Sequence, residues 1–256
     1  MRALVTGAGG RLGQAMAVEL ARLGHDVAVH YAASAEGAQA TEKAVTAEGR
    51  RAVTLQADLL DLDAAEALVP LAAEALGGPL TVLVNNASIF EHDDIRTATR
   101  ASWDRHMRSN LQAPFLLTQA FAAQAPDAAN DGEPLATGNV VNMIDQRVRK
   151  LTPEFMTYTL AKSALWTLTR TAAQALAPAI RVNAIGPGPT LQGLRQTSDH
   201  FAAQRAATIL ERGADPSDIV AALRFILSSR AFTGQLLCID GGQHLAWQTP
   251  DVLGVE

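Results

Sequence analysis

Thr6-Gly7-Ala8-Gly9-Gly10-Arg11-Leu12-Gly13, reached directly from the apolar run Ala3–Thr6, is the stretch on which the fold is read. The run predicts a strand, and a helical pattern follows it over Leu12–Leu23. Glycines at such a junction permit a tight turn and let backbone N–H groups approach a pyrophosphate at the helix N-terminus. A glycine-rich turn also serves as a plain strand–helix connection. Its position after the first strand favours the phosphate reading.

Outward from this turn, strand-like runs alternate with helical stretches, the signature of a parallel sheet covered on both faces. The predicted strands are Ala3–Thr6, Asp26–His30, Ala52–Gln56, Thr81–Asn85, Asn139–Met143, Ile180–Ile185 and Gln235–Asp240. Helices are predicted over Leu12–Leu23, Ala35–Glu48, Ala64–Leu76, Trp103–Gln124, Phe155–Ala177 and Ser217–Leu227. The seven strands use up the chain, so residues 1–256 are expected to form a single α/β domain. Residues 125–138, rich in Pro, Asp, Asn and Gly, read as a surface loop. Residues 190–214 read as a flap over the site, and residues 243–256 as a C-terminal tail without clear periodicity.

Composition narrows the function. A formal charge of −5 argues against a nucleic-acid surface, while a few local arginines still permit an anionic small-molecule ligand. The single cysteine, Cys238, rules out an internal disulfide framework and reads as a small buried hydrophobe. No apolar run approaches the roughly 20 residues needed to cross a bilayer. The first residues run straight into a strand, which leaves no room for a cleaved leader, so a cytoplasmic location is expected. Glu91-His92-Asp93-Asp94 fits no metal-ligand spacing and reads as a solvated loop, and no metal is expected. His25, His106, His200 and His244 are scattered.

Tyr158 and Lys162 lie four positions apart, hence on one helical face. A phenol with a pKa near ~10 exchanges protons poorly at neutral pH unless its anion is stabilised, and an adjacent ammonium supplies that stabilisation. Such a pair also occurs as a structural surface contact. Its context, between a strand ending in Asn142-Met143-Ile144-Asp145 and the turn Gly186-Pro187-Gly188-Pro189-Thr190, favours the chemical reading.

These residues together resemble the short-chain dehydrogenase/reductase family, from the first glycine turn to Asp240-Gly241-Gly242. The resemblance implies a Rossmann-type doubly wound domain with a seven-stranded parallel sheet flanked by helices. It implies catalytic roles for Tyr158, Lys162, Asn110 and Asp145, with Lys162 also holding the nicotinamide ribose. Four departures from the common pattern resemble the pteridine reductase, dihydromonapterin (dihydrofolate) reductase-like branch. Arg11 replaces the middle glycine of the turn, Ser88 replaces glycine in Asn85-Asn86-Ala87-Ser88, Phe90 follows two residues later, and Asp145 stands where serine is usual.

This resemblance implies a cofactor site of Gly7, Arg11, Leu12, Gly13, His30, Tyr31, Ser34, Asp58, Asn86, Ala87, Lys162, Pro187, Gly188 and Thr190. It implies a substrate site of Arg11, Ser88, Phe90, Asp145 and Tyr158. The absence of an acid at the end of the second strand favours NADP(H) over NAD(H). The family's usual basic residue before Ser34 is Ala33 here, which leaves Arg11 as the main cation. The expected reaction is hydride transfer from NADPH to a dihydropteridine of dihydromonapterin, dihydrobiopterin or dihydrofolate type. A carbonyl or 3-oxoacyl-type reductase, and an inactive NADP-binding sensor or scaffold, are the alternatives. A homotetramer is expected, without membrane or nucleic-acid partners.

Overall fold

The computed structural model describes residues 1–193 and 196–247. Seven strands, β1 (Arg2–Val5), β2 (Asp26–Tyr31), β3 (Ala52–Gln56), β4 (Val82–Asn85), β7 (Gly138–Met143), β8 (Ile180–Pro187) and β9 (Leu236–Ile239), form one parallel sheet in the order β3-β2-β1-β4-β7-β8-β9. The remaining two, β5 (Ala129–Asn130) and β6 (Pro134–Leu135), make a separate antiparallel hairpin. Residues 125–138, expected as loop, therefore contain a small ribbon.

The sheet strands are apolar on both faces because both faces are covered. Ala3 and Val5 point into one core with Met16 and Leu20 of α1 (Arg11–Arg22) and Ile219, Leu223 and Ile226 of α8 (Pro216–Ser228). Leu4, between them, points into the opposite core with Leu68 and Ala72 of α3 (Leu62–Leu76) and Leu117 and Phe121 of α5 (Ala113–Gln124). On the first face lies α2 (Ala35–Ala47), and on the second α6 (Met156–Leu176). Val5 pairs with Val29 and Val84, and Val84 with Val141, so the central strands end level. Strand order reverses between β1 and β4. Ligands of such sheets bind at the carboxyl ends of the strands beside that switch point.

Several boundaries moved for identifiable reasons. Asp61 accepts from the amides of Asp63 and Ala64 and so starts α3 two residues before the predicted Ala64. The helix predicted over Trp103–Gln124 divides into α4 (Arg100–Met107), a π-turn over Arg108–Gln112, and α5. Pro114 lies four residues after Asn110 and has no N–H to give its carbonyl, so a regular α-helix cannot run through this point. The strand after α6 continues as far as Pro187.

Within the expected flap lies α7 (Ser198–Ala206), which buries no side chain. Its base is fastened by Arg205, which donates to the carbonyls of Pro189, Gly213 and Ala214. Residues 194 and 195 of that flap, and the expected tail from 248 onward, lie outside the described residues. The described start of the tail is a 3₁₀ turn, Gln243–Leu245, after which Ala246 and Trp247 have no regular structure. Among the described residues no helix is long and apolar enough to cross a membrane.

Candidate active site

At the end of β1 the chain turns with Gly7 at φ +62°, a conformation that favours glycine. The turn is pinned from three sides. Asn86 Nδ2 donates to the carbonyls of Thr6 (2.8 Å) and Gly7 (3.1 Å), and Thr6 Oγ1 accepts from the amides of Asn86 and Ala87. The Gly7 N–H donates to His30 Nδ1 at 3.0 Å, so His30 Nε2 carries the proton and donates to the Ala57 carbonyl at 3.0 Å. A Cβ on Gly13 would lie 2.4 Å from the Gly7 carbonyl oxygen, which keeps the first turn of α1 against the loop. Leu12 packs beneath it on the core. The first turn of α1 carries no acidic residue. Bare amides at a helix start, held in a cradle that a side chain would fill, suit a pyrophosphate.

His30 was expected to contact the cofactor. Both its ring nitrogens are committed within the protein, so it shapes the loop and has no ring nitrogen left for a phosphate. Burial also holds its pKa below the usual histidine range. Tyr31, Ser34 and Asp58 stand at the rim. Ser34 Oγ donates to the Gly9 carbonyl at 3.1 Å, and Asp58 accepts from the Leu60 amide at 2.9 Å. Arg11 sits at φ +54°, a left-handed position uncommon for a side chain other than glycine. Its guanidinium donates to the Leu191 carbonyl at 3.3 Å, so it spans from the glycine turn to the start of the flap.

Across the switch point, Tyr158 and Lys162 project from α6, buried to 5% and 2% exposure. The Tyr158 hydroxyl donates to Asp145 Oδ2 at 2.9 Å. Asp145 Oδ1 accepts from the Arg147 amide at 2.8 Å. Lys162 Nζ donates to the Met143 carbonyl at 2.7 Å and lies 5.6 Å from the Tyr158 ring centre. Burial raises the Asp145 carboxyl, against the opposing pull of Arg147, Tyr158 and Lys162. Burial and the neighbouring Asp145 charge hold the Tyr158 proton well above the usual phenol range. Burial lowers Lys162 to about 8, against the pull of Asp145. The phenol is therefore protonated at neutral pH, with its proton directed at Asp145.

Asn110 is fully buried in the π-turn. Its side chain clamps Ile89, accepting from the Ile89 amide (2.9 Å) and donating to the Ile89 carbonyl (2.8 Å), and it also accepts from Ser88 Oγ (3.2 Å). The Phe90 ring, half-exposed, stands edge-to-face on Tyr158 at 4.7 Å. The turn after β8 passes close to β9, since a Cβ on Gly188 would lie 2.6 Å from the Asp240 Cβ. Pro187 ends the strand, and Thr190 Oγ1 donates to the Gly188 carbonyl at 3.1 Å.

Residues 7–244 match the protein family described as Enoyl-(Acyl carrier protein) reductase. The chain belongs to the short-chain dehydrogenase/reductase family. It is 43% identical to FolM alternative dihydrofolate reductase 1 from Brucella suis, crystallised with NADP, with a TM-score of 0.90 over 98% of both chains. The Brucella canis FolM structure, also an NADP complex, is 42% identical with a TM-score of 0.90, covering 98% of this chain and 96% of that one. The 3-oxoacyl-[acyl-carrier-protein] reductase FabG of Staphylococcus aureus is 31% identical over 248 residues, 95% of this chain and 98% of the relative.

The structure brings Tyr158, Lys162, Asp145, Asn110, Ser88 and Phe90, expected at the site from the sequence, together as neighbours. The sequence reading missed Phe155, whose ring stacks on Phe90 at 4.3 Å with 3° between the planes. Phe155 was read as the first residue of a helix; it is the left-handed residue before α6, at φ +55°. It missed Gly37, where a Cβ would fall 1.8 Å from the Gly9 carbonyl oxygen. It also read residues 91–94 as solvated, whereas Asp93 is buried and joined to Thr157, and through Thr157 to His106. Nor is His244 isolated, for it pairs with Asp240 at 2.7 Å. Cys238 is half-buried.

Proposed function

We propose that the protein reduces a dihydropteridine of dihydromonapterin, dihydrobiopterin or dihydrofolate type with NADPH. The observation that carries this reading is the Asp145 carboxylate on the Tyr158 hydroxyl. Reduction of a ring C=N bond needs a hydride on carbon and a proton on nitrogen. A carboxylate whose proton affinity is raised by burial and which accepts from the phenol can take a proton from solvent and pass it by way of Tyr158 to that nitrogen. Serine, usual at this place in the family, chiefly donates a hydrogen bond to a carbonyl oxygen.

NADPH supplies the hydride when bound. The glycine-turn amides and the start of α1 would hold its pyrophosphate, with Leu12, Asn86 and Ala87 along the edge. Tyr31, Ser34 and Arg11 would border its 2′-phosphate and Asp58 its adenine. Lys162 would hold the nicotinamide ribose, and Pro187, Gly188 and Thr190 would border the carboxamide. Phe90 is backed on one face by Phe155 and would stack a flat ring on the other. Tyr158 gives up its proton to the substrate, Lys162 stabilises the phenolate, and Asp145, which accepts from the hydroxyl, relays to it a replacement proton taken from solvent. Such positioned groups contribute roughly 10²–10⁴ in rate. The NADP complexes of both FolM relatives support the cofactor assignment.

A carbonyl or 3-oxoacyl reductase is the second reading, favoured by the likeness to FabG. One assay separates the two: NADPH oxidation with dihydrobiopterin, dihydromonapterin, dihydrofolate and a simple β-keto ester, on wild type, Asp145→Ser and Tyr158→Phe. Dihydropterin turnover lost in both variants supports the proposal. Turnover of the keto ester alone establishes the second reading, and NADPH binding without any turnover establishes a sensor.

A further inference from the structure

We propose that Asp93, His106 and Thr157 form a buried positioning relay that sets where Tyr158 and Phe90 stand. The catalytic helix α6 has no cap of its own, because the residue before it is Phe155 in a left-handed conformation with no side-chain bond to the helix. Its first amides are satisfied by a single residue 64 positions earlier in the chain. The Asp93 carboxylate accepts from the Thr157 amide at 3.1 Å and from the Thr157 hydroxyl, and the Asp93 carbonyl accepts from the Met156 amide at 3.2 Å. Asp93 thus acts as the N-terminal cap of α6, supplied by the loop that follows β4.

His106, fully buried in α4, joins the other end. Its Nε2 accepts from the Glu91 amide at 3.2 Å, which leaves the proton on Nδ1 to be donated to Thr157 Oγ1 at 2.6 Å. Every donor then has one acceptor, from Glu91 N–H through imidazole and hydroxyl to carboxylate. Burial lowers His106 below the usual range despite Asp93 and Glu91 nearby, consistent with a neutral ring. Burial pushes the Asp93 carboxyl up, and its bonds from Thr157 and Ser102 outweigh this and keep it ionised.

Two links of the relay are each one residue from the chemistry. Thr157 precedes Tyr158, and Glu91 follows Phe90. The His106 ring also packs edge-on against Tyr158 at 6.0 Å. A hydroxyl at 157 therefore fixes the spacing between the phenol and the aromatic shelf. The inference rests on Tyr158 being the proton donor, not on the identity of the substrate.

The test compares Thr157→Val, which keeps the shape and removes the hydroxyl, with Thr157→Ser, which keeps the hydroxyl, and with Asp93→Asn. The readouts are kcat and KM for a dihydropterin, the Kd for NADPH, and amide exchange of the peptide spanning 154–162. Displacement of a reacting group by a remote change costs up to about a hundredfold. Thr157→Val and Asp93→Asn are expected to lower kcat about ten- to a hundredfold with NADPH affinity within twofold, while Thr157→Ser stays within about threefold. Exchange at the start of α6 should accelerate in the first two variants alone. Equal kcat for Thr157→Val and Thr157→Ser, or NADPH affinity lost in step with kcat, overturns the relay. If wild type turns over no dihydropterin, the proposed substrate class has failed, and amide exchange decides the relay: unchanged exchange in Thr157→Val and Asp93→Asn overturns it.

Discussion

Replacing Lys162 with methionine should make the protein more stable near neutral pH while disabling it. Lys162 is 2% exposed, and burial lowers its pKa from 10.5 to about 8. At about 1.4 kcal/mol per pKa unit, holding the ammonium in place costs the native state roughly 3 kcal/mol. Methionine fills a similar volume without charge. It forfeits the hydrogen bond to the Met143 carbonyl, worth about 1 kcal/mol and more if that oxygen stays unpaired. The net gain is about 1–2 kcal/mol, or a few degrees in Tm at roughly 2–4 °C per kcal/mol for a domain of this size.

The sign of the pH dependence follows from the same shift. Below about pH 8 lysine is protonated in both states and the cost is full. Between about 8 and 10.5 the unfolded chain binds the proton and the native state releases it, so wild-type stability rises with pH. Thermal melts of the cofactor-free protein near pH 7 and near pH 10 should show the variant's advantage shrinking at the higher value. A gap that is the same at both, or a variant less stable near pH 7, would refute the assignment of a buried, charge-strained lysine. Turnover near pH 7 should fall at least about 10²-fold, since the phenolate loses its cation.

Two further substitutions probe the site's walls. Phe90→Ala removes the face stacked on Phe155; an aromatic contact of about 0.5–1.5 kcal/mol predicts a KM for dihydropterin raised roughly three- to tenfold. NADPH affinity should be unaffected, and an unchanged substrate KM would remove Phe90 from the substrate site. Gly37→Ala places a methyl 1.8 Å from the Gly9 carbonyl oxygen, so α2 or the glycine turn must shift. NADPH affinity measured by fluorescence titration should weaken at least about tenfold, in line with a distorted phosphate cradle. Full retention of affinity would mean that the turn is more accommodating than this contact implies.

The legible parts of the molecule were those whose physics is local. Alternating apolar runs and helical patterns specified a parallel sheet, because strands covered on both faces carry continuous hydrophobic sequence. The glycines at 7 and 13 and the four-residue spacing of Tyr158 and Lys162 act over one or two turns of chain, so their meaning survives without coordinates. The resemblance to a known family added Asp145 as an expected neighbour of Tyr158, and in the structure a 2.9 Å bond joins the two.

What only the tertiary structure decided depends on groups far apart in sequence. His30 looked like a cofactor ligand until Gly7 and Ala57 were seen to occupy both ring nitrogens. Gly37 carries no signal in its own helix; its need arises from the Gly9 carbonyl packed against it. Asp93 and His106 sit in stretches of ordinary polarity, and both are buried against Thr157, at the start of a helix that begins 63 residues after one and 50 after the other. The Tyr158–Lys162 pair is thus written in the chain, whereas the distance from that phenol to its aromatic shelf is set by buried polar groups that only folding brings into contact.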